Sequence, residues 1–142
     1  MRLARYLRAW LLMAGLPMTA CSLGTGLDDM PSSARVRVEG SAPEELRLIT
    51  SIDFIEQINL ETGAQSVLLL ESDTAVIDLP FDATLDVRET GSVYVELLYR
   101  PKSTASVTLQ VELDTGERFE QAATMSDGAQ LIYYRAWYGP SR

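Results

Sequence analysis

Cys21 is the only thiol in a chain of 142 residues that holds no histidine. Those two facts exclude most side-chain catalysis at once. Without imidazole there is no Ser-His-Asp or Cys-His arrangement, and no cysteine/histidine zinc site can be assembled. A single cysteine rules out a disulfide within the chain. No glycine-rich phosphate loop is present. What remains is carboxylate chemistry: twenty Asp and Glu residues could supply the paired acids of a glycosidase or the oxygens of a calcium site. The calcium candidates are Asp78, Asp82 and Asp86, with Glu71 and Asp73 as a second set. No Asp-x-Asp-x-Asp loop accompanies them. Most acids occupy the polar positions of alternating segments or lie in turns, where a carboxylate is a solvated surface group. The expectation is a non-catalytic chain with no cofactor and no resident metal.

The surroundings of Cys21 say more than its chemistry alone. Arg2, Arg5 and Arg8 precede an apolar run from Ala9 to Leu16, followed by Pro17 and the small residues Thr19 and Ala20. That order is an export signal, and its apolar run is far shorter than the roughly 20 residues that span a bilayer. Met18-Thr19-Ala20-Cys21 resembles the lipobox of bacterial lipoproteins, with Met a less usual first residue. The resemblance implies cleavage after Ala20, a thioether-linked diacylglycerol on Cys21 and acylation, such as by palmitate, of the new amino terminus. Each buried methylene contributes about 0.8 kcal/mol, so several long chains hold a protein durably. The membrane is then a partner through the lipid. Ser22 stands where an aspartate commonly signals inner-membrane retention, which points to the outer membrane in an organism that has two.

Three regions follow: a signal peptide over 1–20, the lipidated cysteine with a flexible tether over 21–33, and a folded domain over 34–142. The tether is expected because Ser22–Ser33 is rich in Gly, Ser, Pro and Asp and has no hydrophobic period. Three of the twelve basic residues leave with the signal, so nine basic and twenty acidic residues remain, a net charge of −11. Such a domain is a poor partner for nucleic acid, whose binding needs neutralised phosphates. Direct docking on anionic lipid is disfavoured for the same reason.

The folded part must be built from strands. Val107, Leu109, Val111 and Leu113 alternate with polar residues, as do Val93, Val95, Leu97 and Tyr99, and Ala34, Val36 and Val38. Each such strand is expected to bury one face and wet the other. Glu61-Thr62-Gly63, Glu89-Thr90-Gly91, Asp114-Thr115-Gly116 and Asp127-Gly128 supply turn chemistry between them. Ser41–Glu44 has the form of a helix capping box, yet the β-branched, alternating residues that follow favour strands. Val67–Leu70 and Leu131–Tyr134 are apolar at consecutive positions, which suggests central strands covered on both faces. The second run continues to Trp137 and Tyr138, so Tyr133, Tyr134, Trp137 and Tyr138 read either as core or as an aromatic partner surface. The fold class expected is an all-β, antiparallel, immunoglobulin-like β-sandwich of about seven to nine strands.

Laid out as strands, Val36-Arg-Val-Glu-Gly40-Ser-Ala42, Leu79-Pro80-Phe81 before Ala83–Arg88, and the late turn Val111-Glu-Leu-Asp114-Thr-Gly116-Glu are similar to segments of the MmpS-like family. Those proteins are small membrane-protein partners of mycobacterial lipid and siderophore exporters. The resemblance, over about Arg35–Tyr134, implies a compact sandwich outside the cytoplasm that serves as adaptor to an export transporter. The chain departs from the family in having a lipobox where the family has a membrane helix, and in lacking a cysteine pair in the domain. The functional expectation is a lipid-anchored envelope lipoprotein with an accessory binding role toward a transporter or assembly protein. The alternative is a structural or surface-maintenance lipoprotein that binds itself, cell-wall polymer or protein neighbours.

Overall fold

Alternating side chains commit this chain to eight strands in the computed structural model, which describes residues 30–137. They are β1 Ser33–Ser41, β2 Leu46–Ile58, β3 Gln65–Ile77, β4 Phe81–Asp86, β5 Val93–Tyr99, β6 Ala105–Leu113, β7 Arg118–Met125 and β8 Ala129–Arg135. The signal segment, Cys21 and Tyr138 lie outside the described residues. Among the described residues there is no helix, so Ser41–Glu44 closes β1 and turns into β2. Two four-stranded antiparallel sheets result, one in the order β4-β1-β6-β7 and the other β3-β2-β5-β8. Only β2–β3 and β6–β7 are neighbours in both sequence and sheet; every other connection crosses between sheets. The fold is the expected all-β sandwich.

The core is the meeting of the inner stripes. Ala105, Val107, Leu109, Val111 and Leu113 of β6, with Ala34, Val36 and Val38 of β1, face Leu46, Leu48, Val93, Val95, Leu97 and Tyr99 of the opposite sheet, all buried. Burial of a side chain of this kind contributes roughly 1.5–3 kcal/mol, so this stripe dominates folding.

Two expectations about strand position are corrected. Val67–Leu70 lies on β3 and Leu131–Tyr134 on β8, and both are edge strands rather than central ones. The strand covered on both faces is β5, whose expected wet face is buried at Tyr94, Glu96 and Leu98. The cause is lateral cover. Register places Glu96 between Ile49 of β2 and Ile132 of β8, and Tyr94 between Ser51 and Tyr134.

The two open sides of the sandwich are not alike. Between β7 and β8 the Tyr133 ring lies 4.8 Å from that of Phe119, and Arg135 donates to Glu117 at 2.9 Å, which closes that side. Between β3 and β4 a cleft remains. At one end of the sandwich Asp114 holds the incoming chain, accepting from the backbone N–H of Ser32 at 3.0 Å and from its hydroxyl.

Gly40 of β1 sits opposite Val107 at φ +124°, and a Cβ there would run into the Ser106 carbonyl oxygen. Gly40→Ala is expected to cost about 2 kcal/mol or more, from strain and collision together. Gly63, at φ +69° with open space around it, is expected to cost about 1 kcal/mol on the same change. Denaturant titration of the two variants would show equal losses if the β1–β6 approach were looser than described.

Candidate functional site

β2 and β3 are thirteen residues each, but β2 pairs with β5 only over Arg47–Ser51. Beyond that point the β2–β3 hairpin leaves the sandwich as a two-stranded arm, with Phe54↔Leu69 through Ile58↔Gln65 in unbroken register. The departure is built in locally. Irregular pairing between Thr50 and Phe54 bends the ribbon, and the buried Ser51 hydroxyl braces it by donating to the Glu71 carbonyl at 2.5 Å and accepting from the Asp53 N–H at 3.1 Å. The tip is equally determined. Asn59 Oδ1 accepts from the N–H groups of Glu61 and Thr62, and Gly63 donates to the Asn59 carbonyl at 2.7 Å. This Asx turn, with Gly63 in the left-handed region, presents Leu60 with 97 % of its surface exposed.

Directly opposed residues of a hairpin share a face. One face of the arm carries Ile55, Leu68 and Leu70, all exposed; the other carries Phe54, Val67, Leu69 and the exposed Ile58. The arm is therefore apolar on both sides. Phe54 anchors its base, with ring centroids 6.0 Å from Tyr94 and 6.2 Å from Tyr134 on the outer face of the sheet.

The predicted aromatic set is divided by the pleat. Tyr133 points inward, buried against Phe119, and donates to Glu117 at 3.1 Å. Tyr134 points outward to Phe54, so the two neighbours cannot serve one surface. Trp137 lies beside Gly91, and its backbone N–H donates to the Ser92 hydroxyl at 2.9 Å. Burial, and then the Glu117 carboxylate, hold the Tyr133 phenol well above its ordinary pKa; burial and then Glu96 do the same for Tyr94. Both phenols stay protonated as donors to carboxylates, the reverse of an activated nucleophile.

The calcium candidates do not converge. Asp82 and Asp86 lie four residues apart on one strand, a separation of about 13 Å. Each is matched to arginine: Asp82 accepts from Arg35 at 2.6 and 2.9 Å, and Asp86 from Arg88 at 2.5 Å. Asp78 sits between β3 and β4. Among the described residues no group of three metal-ligating side chains is placed to hold an ion. The second set fares differently: Glu71 and Asp73 share the lining of a cleft of about 340 Å³ with Thr50, Ile52, Leu85 and Asp86. Deeper along the same opening, Leu48, Phe81 and Ala83 give it an apolar floor.

No family model, curated protein or solved structure matches this chain. The site must be read from its own residues, and among them the arm and the adjoining β3 edge stand out. The arm was not anticipated from sequence. The doubly apolar run Val67–Leu70 was its signal, since consecutive apolar residues on a hairpin clothe both faces of whatever they form.

Two measurements follow. Leu60→Ser is expected to change stability by less than about 0.5 kcal/mol because it is almost wholly exposed, and the half-exposed Leu68→Ser by about 1 kcal/mol. A loss near that of a core truncation would place the arm against other residues of the chain. For pH, Arg35 and Arg37 hold Asp82, Arg88 holds Asp86 (to about 2), and Ser32 holds Asp114, all below the ordinary 3.8. Their contributions are complete above about pH 4 and are lost as pH falls, for Asp86 towards about 2. Thermal melts across that range should show a smaller acid loss for Asp114→Asn than for the parent chain.

Proposed function

We propose that this chain is an exported lipoprotein whose sandwich is a non-catalytic binding module, acting as adaptor to a transporter or assembly protein of the cell envelope. One observation carries the reading: of the eight exposed large hydrophobic side chains among the described residues, five (Ile55, Ile58, Leu60, Leu68 and Leu70) are gathered on a single projecting hairpin. Soluble domains rarely leave such side chains clustered in water unless another surface meets them. The export signal and the lipobox-like Met18-Thr19-Ala20-Cys21 support a place at the outer membrane, with the lipid on Cys21 as anchor. Among the described residues no helix is long and apolar enough to cross a membrane.

Crosslinking in intact cells, followed by affinity purification from detergent-solubilised membranes, tests the reading. Recovery of one transporter or assembly protein in stoichiometric amount, lost on Leu60→Ser/Leu68→Ser in a chain that stays folded, is the expected result. Recovery of the chain alone, or of cell-wall fragments, would replace the adaptor with a structural lipoprotein. The anchor has its own readout: Cys21→Ser should abolish labelling by a palmitate analogue and move the protein out of the membrane fraction. Persistence of both would remove Cys21 from the account.

A further inference from the structure

The free edge of β3 is unlike the other edges of the sandwich. It is the longest at thirteen residues, and Gln65–Ile77 contains neither lysine nor proline, two of the usual guards of an exposed edge. β4 is six residues long, and β7 and β8 are drawn together by Phe119–Tyr133 and Glu117–Arg135. Charge singles out the same strand. From Leu48 to Val87 the chain carries eight acids and no base, and arginines stand at both its boundaries, Arg47 and Arg88. Asp82 and Asp86 are satisfied by arginine, but Glu71 and Asp73 have no ion pair among the described residues. Both face the mouth of the β3–β4 cleft, above its apolar floor.

We infer that β3 is the docking edge for an extended, basic and aliphatic segment of a partner protein, which adds to the sheet as a ninth strand. This rests on the binding role proposed above and names the chemistry that the role requires. Backbone groups of the incoming strand pair with those that β3 leaves unpaired, the mode of β-augmentation. Alternate side chains point to opposite faces, so the set turned towards the sandwich must carry both cationic groups, which meet Glu71 and Asp73, and aliphatic ones, which cover the apolar floor. A second copy of this chain fits less well, since it would bring the same unmatched acids to the edge. An anionic bilayer is disfavoured by that charge as well.

The test is a titration of the purified protein with an octapeptide that carries two lysines and two valines at alternate positions with threonine between them, followed by backbone amide NMR. Saturable shifts confined to Gln65–Ile77 and the cleft are expected, weakening with added salt. Glu71→Lys/Asp73→Lys, two exposed positions, should weaken binding about tenfold. The same peptide with glutamate in place of lysine should not bind, and neither should the lysine peptide N-methylated at alternate residues. Absence of shifts, or equal binding of the N-methylated peptide, overturns the inference, as does peptide-independent dimerisation through β3. A photo-crosslinker in intact cells separates this failure from that of the binding role. Capture of a partner from Glu61 at the tip of the arm but not from Ser72 on β3 defeats the docking edge and keeps the role; capture from neither defeats the role.

Discussion

Burial of the β5 and β6 stripes against one another sets the height of the domain, and most of its other features follow from that height. β5 has seven residues and β6 nine, lengths of about 23 and 30 Å. β2 and β3 have thirteen, about 43 Å, so no packing of these sheets can cover them from end to end. The irregular pairing after Thr50 is where the ribbon stops following the sandwich, and Phe54 against Tyr94 and Tyr134 is the last packed layer before solvent.

The same mismatch accounts for the arm's composition. A hairpin that emerged merely as surplus chain would gain nothing from Ile55, Leu68 and Leu70 on one face and Val67 and Leu69 on the other. Its tip is held by backbone and Asn59 hydrogen bonds rather than by packing, which lets Leu60 stay presented without a core beneath it. At the other lateral edge the chain spends its polar contacts on closure: Glu117 receives both Tyr133 and Arg135. The sandwich is shut on one side and open on the other.

Much of this was legible in the residues. Alternation located the inner stripes of β1, β5 and β6, and the acid-Thr-Gly and Asp-Gly turns fall at strand junctions with their glycines at positive φ. Period two reports which side chains share a face, not which strand lies alongside. Val67–Leu70 therefore suggested a central strand when it clothes an edge. Glu96 suggested a wet face when Ile49 and Ile132 flank it and Tyr94 and Gln130 hydrogen-bond it. Nor could spacing show that Asp82 is claimed by Arg35, forty-seven positions away, or that Tyr133 and Tyr134 part company across the sheet. Those outcomes depend on sheet order, which is settled by long-range pairing.

The Ser32–Asp114 clamp fixes where the chain enters, and β1 begins at the end of the sandwich where β5 begins and the arm departs. Ten residues separate Cys21 from Ser32, a leash with a reach of at most about 40 Å. If Cys21 carries the proposed lipid, the anchor joins the domain at the arm's end, and the arm's encounter with a membrane-embedded neighbour becomes a search in two dimensions. Lengthening the leash would dilute that encounter without altering a single contact in the folded domain.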